Sequence, residues 1–159
     1  MKGGFLVSVN INAHYDEIYR YCYFKIKNLY VAEDLTQETF LKFIKQNSYV
    51  DRDKPLAYLY TIAKNTCIDY MRKVEYDPLN EELIAENEFE KVEIKKVVRD
   101  AILTLPSDEQ ELVFLRYVNE LKIGDIAKIT EISRFAINRK LKKALEGLKL
   151  VLREEDFFE

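Results

Sequence analysis

Between Phe5 and Ile123 the chain contains no glycine. Glycine takes up positive φ without steric cost, so so long a stretch without it leaves few sharp reversals and favours helices joined by brief turns. The three prolines punctuate the chain: Pro55 suits a first helical turn, Pro106 stands ahead of the capping-box pattern Ser107-Asp108-Glu109-Gln110, and Pro78 falls in an acidic segment. Apolar residues recur at helical intervals, as in Ile94, Val97, Val98, Ala101, Ile102 and Leu105. Strand-like alternation is scarce, and there is no internal repeat. Helices are predicted over about 12–29, 33–47, 55–64, 66–73, 91–104, 107–118, 122–129 and 133–152, which makes the fold class all-α.

At 159 residues, with 48% apolar residues, the chain can bury a core as one domain or as two small ones. Its formal net charge of −3 averages over segments of opposite sign. Residues 1–73 hold 11 basic and 8 acidic groups, 74–90 none and 7, 91–153 14 and 9, and the last six none and 4. The pattern predicts two mildly basic bodies, an acidic connector and an acidic tail. Cys22 and Cys67 show no C-x-x-C spacing and His14 is isolated, so neither a zinc site nor a disulfide framework is expected. No apolar run approaches the roughly 18 residues that span a bilayer, and the first residues lack a signal-peptide pattern. The expectation is a soluble, cytoplasmic protein.

The densest chemistry lies in IAKITEISRFAINRKLKKALEGLKLVLR, where from Ser133 onward Arg134, Arg139, Lys140, Lys142, Lys143, Lys149 and Arg153 answer to one acid, Glu146. Ile123, Ile126, Ala127 and Ile129 make a short amphipathic helix, Thr130-Glu131-Ile132 a turn, and Ser133 a cap for the next helix. In that helix Ile137, Leu141, Ala144, Leu145 and Leu148 share one face, and Phe135, Asn138, Arg139, Lys142 and Lys143 the other. This is helix-turn-helix spacing, in which the second helix enters the major groove by its N-terminal part. Arginine and lysine pair with guanine, asparagine with adenine, and Phe135 with a thymine methyl. The competing reading is a solvated cationic helix. Glu131 occupies a turn position where positive φ is often required and glycine is common.

In AEDLTQETFLKFIKQ, Asp34, Gln37, Glu38 and Leu41 share one helix face while Phe40, Phe43 and Ile44 point into a core. The stripe is a docking surface or a plain solvated face. In PLAYLYTIAKNTCIDYMRK, Tyr58, Tyr60 and Tyr70 are interleaved with Lys64, Asn65, Arg72 and Lys73, a mixture that suits stacking and pairing of unpaired bases. Core tyrosines are the alternative. There is no glycine-rich phosphate loop and no nucleophile with a histidine partner, so catalysis, a cofactor or a metal is not expected.

AEDLTQETFLKF, AYLYTIAKNTCIDYMRK and LPSDEQELVFLRYVNELKIGDIAKITEIS, followed by a basic helix, together resemble bacterial extracytoplasmic-function sigma factors, promoter-recognition subunits of RNA polymerase. The resemblance implies a region 2-like helical domain over 10–74, a flexible acidic linker over 75–90, a region 4-like helix-turn-helix domain over 91–153 and a tail over 154–159. It implies that Asp34, Gln37, Glu38 and Leu41 face the clamp helices of the polymerase β′ subunit. It implies a minus-ten site of Tyr58, Lys64, Asn65, Thr66, Arg72 and Lys73, with Asn65 and Thr66 in a turn that holds a flipped base. Ser133, Arg134, Phe135, Asn138, Arg139, Lys142 and Lys143 would meet the minus-thirty-five element, and the same domain the flap of β. An anti-sigma partner is also implied.

The chain departs from the family pattern at Tyr58, where tryptophan is frequent, at Phe135-Ala136, where glycine-threonine is frequent, and after Lys73, where the basic run stops at Val74-Glu75. The connector, with seven carboxylates and no cation, suits the positive channels of a polymerase as a polyanion mimic, or serves as a solubilising spacer. Acids in the connector and tail are also expected to keep free protein off random DNA. Two other functions fit the residues: a helix-turn-helix regulator acting without polymerase, and a sigma-like interaction protein that does not melt DNA.

Overall fold

The computed structural model describes residues 11–45, 55–75 and 96–154. All but Glu75 of the acidic connector predicted over 75–90, and all but Glu154 of the tail predicted over 154–159, lie outside the described residues. The chain divides into two compact units, Met1–Ala85 and Glu86–Glu159. Among the described residues every regular element is helical, as the apolar spacing predicts.

The first unit holds α1 (Ile11–Ile26), α2 (Leu29–Lys45) and α3 (Pro55–Glu75). All three pairs of helices pack together around Ile18, Tyr21, Phe43, Leu59, Tyr60 and Ala63, each with no exposed surface. Aromatic pairs lock them: Tyr15 stacks on Phe40 at 5.5 Å, and Tyr21 meets Tyr60 edge-on at 5.6 Å. Tyr60 donates a 2.6 Å hydrogen bond to Glu17, whose other carboxylate oxygen meets His14 Nδ1 at 2.8 Å. Cys22 and Cys67 are free, buried and hydrogen-bonded to each other, and this contact holds the Cys22 thiol below its ordinary range against the opposing effect of burial.

Three sequence expectations change here. The helix predicted to start near 33 starts at Leu29, because Asn28 caps it by accepting the Val31 N–H at 3.1 Å. The break predicted between 64 and 66 is absent; Leu59, Tyr60, Ala63, Thr66 and Cys67 carry the buried stripe through that point. Asparagine costs only a fraction of a kcal/mol in a helix, and burial outweighs it. Ile44, expected in the core, is 39% exposed.

The second unit holds α4 (Lys96–Leu103), α5 (Ser107–Val113), a π-helical turn (Phe114–Val118), α6 (Ile123–Thr130) and α7 (Arg134–Glu154). The capping box does not form. Ser107 is already helical, and Gln110 Nε2 instead donates to the carbonyls of Leu105 (2.8 Å) and Leu103 (3.3 Å), tying α5 to the end of α4. The helix predicted over 107–118 widens after Val113: Asn119 N donates to Phe114 O, five residues back, at 3.0 Å. The wider turn accompanies burial of four successive apolar residues, Leu112, Val113, Phe114 and Leu115. Asp108 and Lys140 join α5 to α7 at 2.6 Å.

Without glycine at these positions, the chain turns at Lys27, Glu120 and Glu131, with φ of 61°, 56° and 60°. A left-handed conformation costs a side-chain-bearing residue roughly 1–2 kcal/mol, part of which glycine avoids. Glu131→Gly is therefore expected to stabilise the second unit by about 0.5–1 kcal/mol, read as a higher thermal midpoint by circular dichroism. The hydrogen bond from Lys140 holds the Asp108 carboxyl below the usual carboxylate range. A depressed folded-state pKa stabilises above the unfolded value of about 4 and is lost as pH falls through the folded one. Solvent screens this half-exposed pair, so Asp108→Asn should modestly flatten the loss of stability below about pH 4 in pH-dependent melts.

Candidate nucleic-acid interface

The tripeptide between α6 and α7 sets the angle at which a basic helix leaves the second unit. Glu131 closes α6 in the left-handed region, donating its N–H to Ala127 O at 2.9 Å. Thr130 Oγ1 bonds back to Ile126 O at 2.7 Å, and Ser133 Oγ accepts the Ala136 N–H at 3.1 Å, the cap that the sequence predicts. Ile126 and Ile129 of α6 and Ile137, Leu141 and Ala144 of α7 are buried. The opposite face of α7 is therefore turned outward.

Ser133, Arg134, Phe135, Asn138, Arg139, Lys142 and Lys143 are all exposed on the first three turns of α7. Phe135 is 76% exposed, and the Arg139 guanidinium lies 5.7 Å from its ring centroid. Lys140 is set apart from this group by its bond to Asp108.

In the first unit Asp34, Gln37, Glu38 and Leu41 form one exposed stripe on α2. Gln37 hydrogen-bonds Tyr15, whose hydroxyl pKa is raised chiefly by burial. Tyr30, 81% exposed and four residues before Asp34, extends the stripe by one turn. Sequence reasoning passed over Tyr30, although the same i, i+4 spacing was there to find it.

The minus-ten set is only partly gathered. Tyr58, Asn65 and Arg72 recur every seven residues along α3, with Lys73 exposed beside them and Lys64 half-buried on another side. Tyr58 packs 5.9 Å from Phe43 and is half-buried. Asn65 and Thr66 do not occupy a turn between helices; both lie inside α3. Asn65 is exposed, whereas Thr66 is 2% exposed and its hydroxyl accepts a 3.2 Å hydrogen bond from Lys42 Nζ. Thr66 is thus a core residue and cannot grip a base in this arrangement. Lys42 also pairs with Glu38 at 2.9 Å, so one ammonium bridges the α2 stripe and α3.

A three-helix body with an exposed polar stripe and a helix-turn-helix body with a capped basic helix, carried on one chain, define the class of helix-turn-helix DNA-binding proteins. Comparison with known proteins agrees. Residues 11–75 match the Sigma-70 region 2 family and residues 95–148 match Sigma-70, region 4. The ECF RNA polymerase sigma factor SigM of Bacillus subtilis is 32% identical over 143 residues, covering 84% of this chain and 87% of the relative. SigW of the same organism is 26% identical over 163 residues, 91% of this chain and 87% of the relative. The sigma factor RpoE of Bartonella quintana, solved in complex with the anti-sigma factor NepR, shares the fold with a TM-score of 0.69 and 22% identity over 90% of this chain and 94% of that one. The chain belongs to the ECF RNA polymerase sigma factors, which initiate transcription at chosen promoters.

The Lys42 bridge is testable by itself. Lys42→Met removes the donor to the buried Thr66 hydroxyl and should destabilise the first unit by about 1 kcal/mol in urea unfolding, with most of the loss recovered in Lys42→Met/Thr66→Val.

Proposed function

We propose that this sigma factor docks on core RNA polymerase through the α2 stripe, captures the melted minus-ten element along α3 and binds the minus-thirty-five element with α7. The observation that carries the proposal is the outward face of α7, where six polar, cationic or aromatic residues stand exposed over three turns behind a formed serine cap. Its cations supply salt-dependent, sequence-blind attraction to phosphate, and Asn138, Arg139 and Phe135 supply base choice.

On α2, Asp34, Gln37, Glu38 and Leu41 present acids, an amide and one apolar side chain, suited to a basic helical surface such as the β′ clamp helices. The second unit also meets the flap of β. On α3, Asn65, Arg72 and Lys73 are the exposed groups for an unpaired strand, Tyr58 and Lys64 flank them, and Thr66 supports the helix from within. The protein performs no chemistry of its own; the polymerase supplies catalysis, and the complex acts in the cytoplasm. The solved RpoE complex, with an anti-sigma factor bound to a chain of this fold, supports an anti-sigma partner here. The seven carboxylates between Glu75 and Glu90 fit the role of polyanion mimic in the positive channels of the polymerase.

In vitro transcription with core enzyme on a genomic library tests the reading, with start sites expected only when the protein is added. Glu38→Ala should weaken binding to core polymerase and leave duplex binding alone. Arg139→Ala should weaken upstream-element binding about 10-fold or more and relax base preference. Swapped phenotypes would overturn the assignment of the two surfaces.

A further inference from the structure

Phe135 poses a question that the general reading of α7 does not answer. It contributes little to the core, being 76% exposed, yet a large apolar ring stands at the end of a helix otherwise covered by charge. Among the described residues the ring meets one cation, Arg139, whose guanidinium carbon lies 5.7 Å from the ring centroid, within cation–π range. Among the described residues Arg139 forms no ion pair, so its N–H edge is uncommitted.

The direction of the contact matters. Helical side chains lean towards the N-terminus, and Arg139 reaches back one turn to the ring. The guanidinium is thereby held at the end of α7 that enters a major groove in a helix-turn-helix complex. An arginine so held has already lost part of the rotamer freedom that it would otherwise lose on binding. Its planar fork pairs with guanine O6 and N7, and an apolar ring meets the methyl group of thymine. Base pairs rise about 3.4 Å per step, so two groups 5.7 Å apart span more than one pair, and with part of that separation lying across the groove they address adjacent pairs.

We propose that Phe135 and Arg139 form a single preassembled reading unit that selects a thymine adjacent to a guanine in the duplex bound by α7. The inference rests on the reading of α7 as the minus-thirty-five interface. Phe135 has two roles in it: it touches the thymine methyl and it positions Arg139.

The test uses RNA polymerase reconstituted with the full chain and duplexes randomised across the upstream element. Neighbouring T and G should be enriched at one place. Replacing that thymine by deoxyuridine removes only its methyl and should weaken wild-type binding about fourfold. With Phe135→Ala the thymine and deoxyuridine duplexes should bind alike, and the preference for guanine should fall at least threefold, while Phe135→Tyr restores both. Melting curves confirm folding, which this exposed site should not disturb. As a control, Lys142→Ala should weaken all duplexes about equally and reduce the salt slope by about 0.9.

If Phe135→Ala lowers affinity by one factor on every duplex, or wild type does not distinguish thymine from deoxyuridine, the reading unit is refuted while the interface stands. If neither Lys142→Ala nor Arg139→Ala changes upstream-element binding, the interface and the reading unit both fail.

Discussion

Turning the chain without glycine is the constraint on which both units depend. Lys27, Glu120 and Glu131 each take a left-handed conformation, and each is an exposed, long, charged residue whose side chain extends freely into water. The strain at each turn, roughly 1–2 kcal/mol, is offset by the apolar faces brought together on either side. At Lys27 the reversal lets α2 return along α1, with Asn28 capping the new helix. At Glu131 it sets α7 across α6, which buries Ile126 and Ile129 against Ile137 and Leu141 and leaves the basic face outward. The outward orientation of the basic face of α7 thus follows from the left-handed turn at Glu131.

Charge in this protein is sorted by partner rather than by sign alone. Lys140 and Lys42 look in the sequence like their cationic neighbours, yet the first holds Asp108 and the second joins Glu38 to the buried Thr66 hydroxyl. Once these are removed from the reckoning, Arg134, Arg139, Lys142 and Lys143 remain together on the exposed face of α7. Such segregation lets a chain of net charge −3 attract phosphate at one surface. The α2 stripe has the opposite character, with Leu41 and Tyr30 as apolar anchors among acids and an amide. Apolar anchors framed by polar groups are the usual anatomy of a protein-protein contact.

Much of this was legible in advance. Helical apolar spacing determined the all-α class, because burial of a 3.6-residue stripe depends on the order of residues and little else. Ser133 as a cap, the inward face of α7 and the exposed stripe on α2 also follow from spacing within single helices, as does the match of each half to a sigma region. Glu131 stands at a turn position where positive φ is often required, and its φ is 60°.

Whatever depended on two helices meeting was not legible. The family resemblance puts Asn65-Thr66 in a turn, but the buried stripe of Leu59, Tyr60, Ala63, Thr66 and Cys67 keeps α3 unbroken and turns Thr66 inward. The capping-box pattern at Ser107 lost to Gln110 bonding across to α4, and the hydrogen bond between the free thiols of Cys22 and Cys67 joins residues 45 apart. The sequence by itself determined the helices, their faces and the family. Only tertiary structure decided which polar side chains bond inward across helix contacts and which stay free for partners, since that choice is made by neighbours distant along the chain.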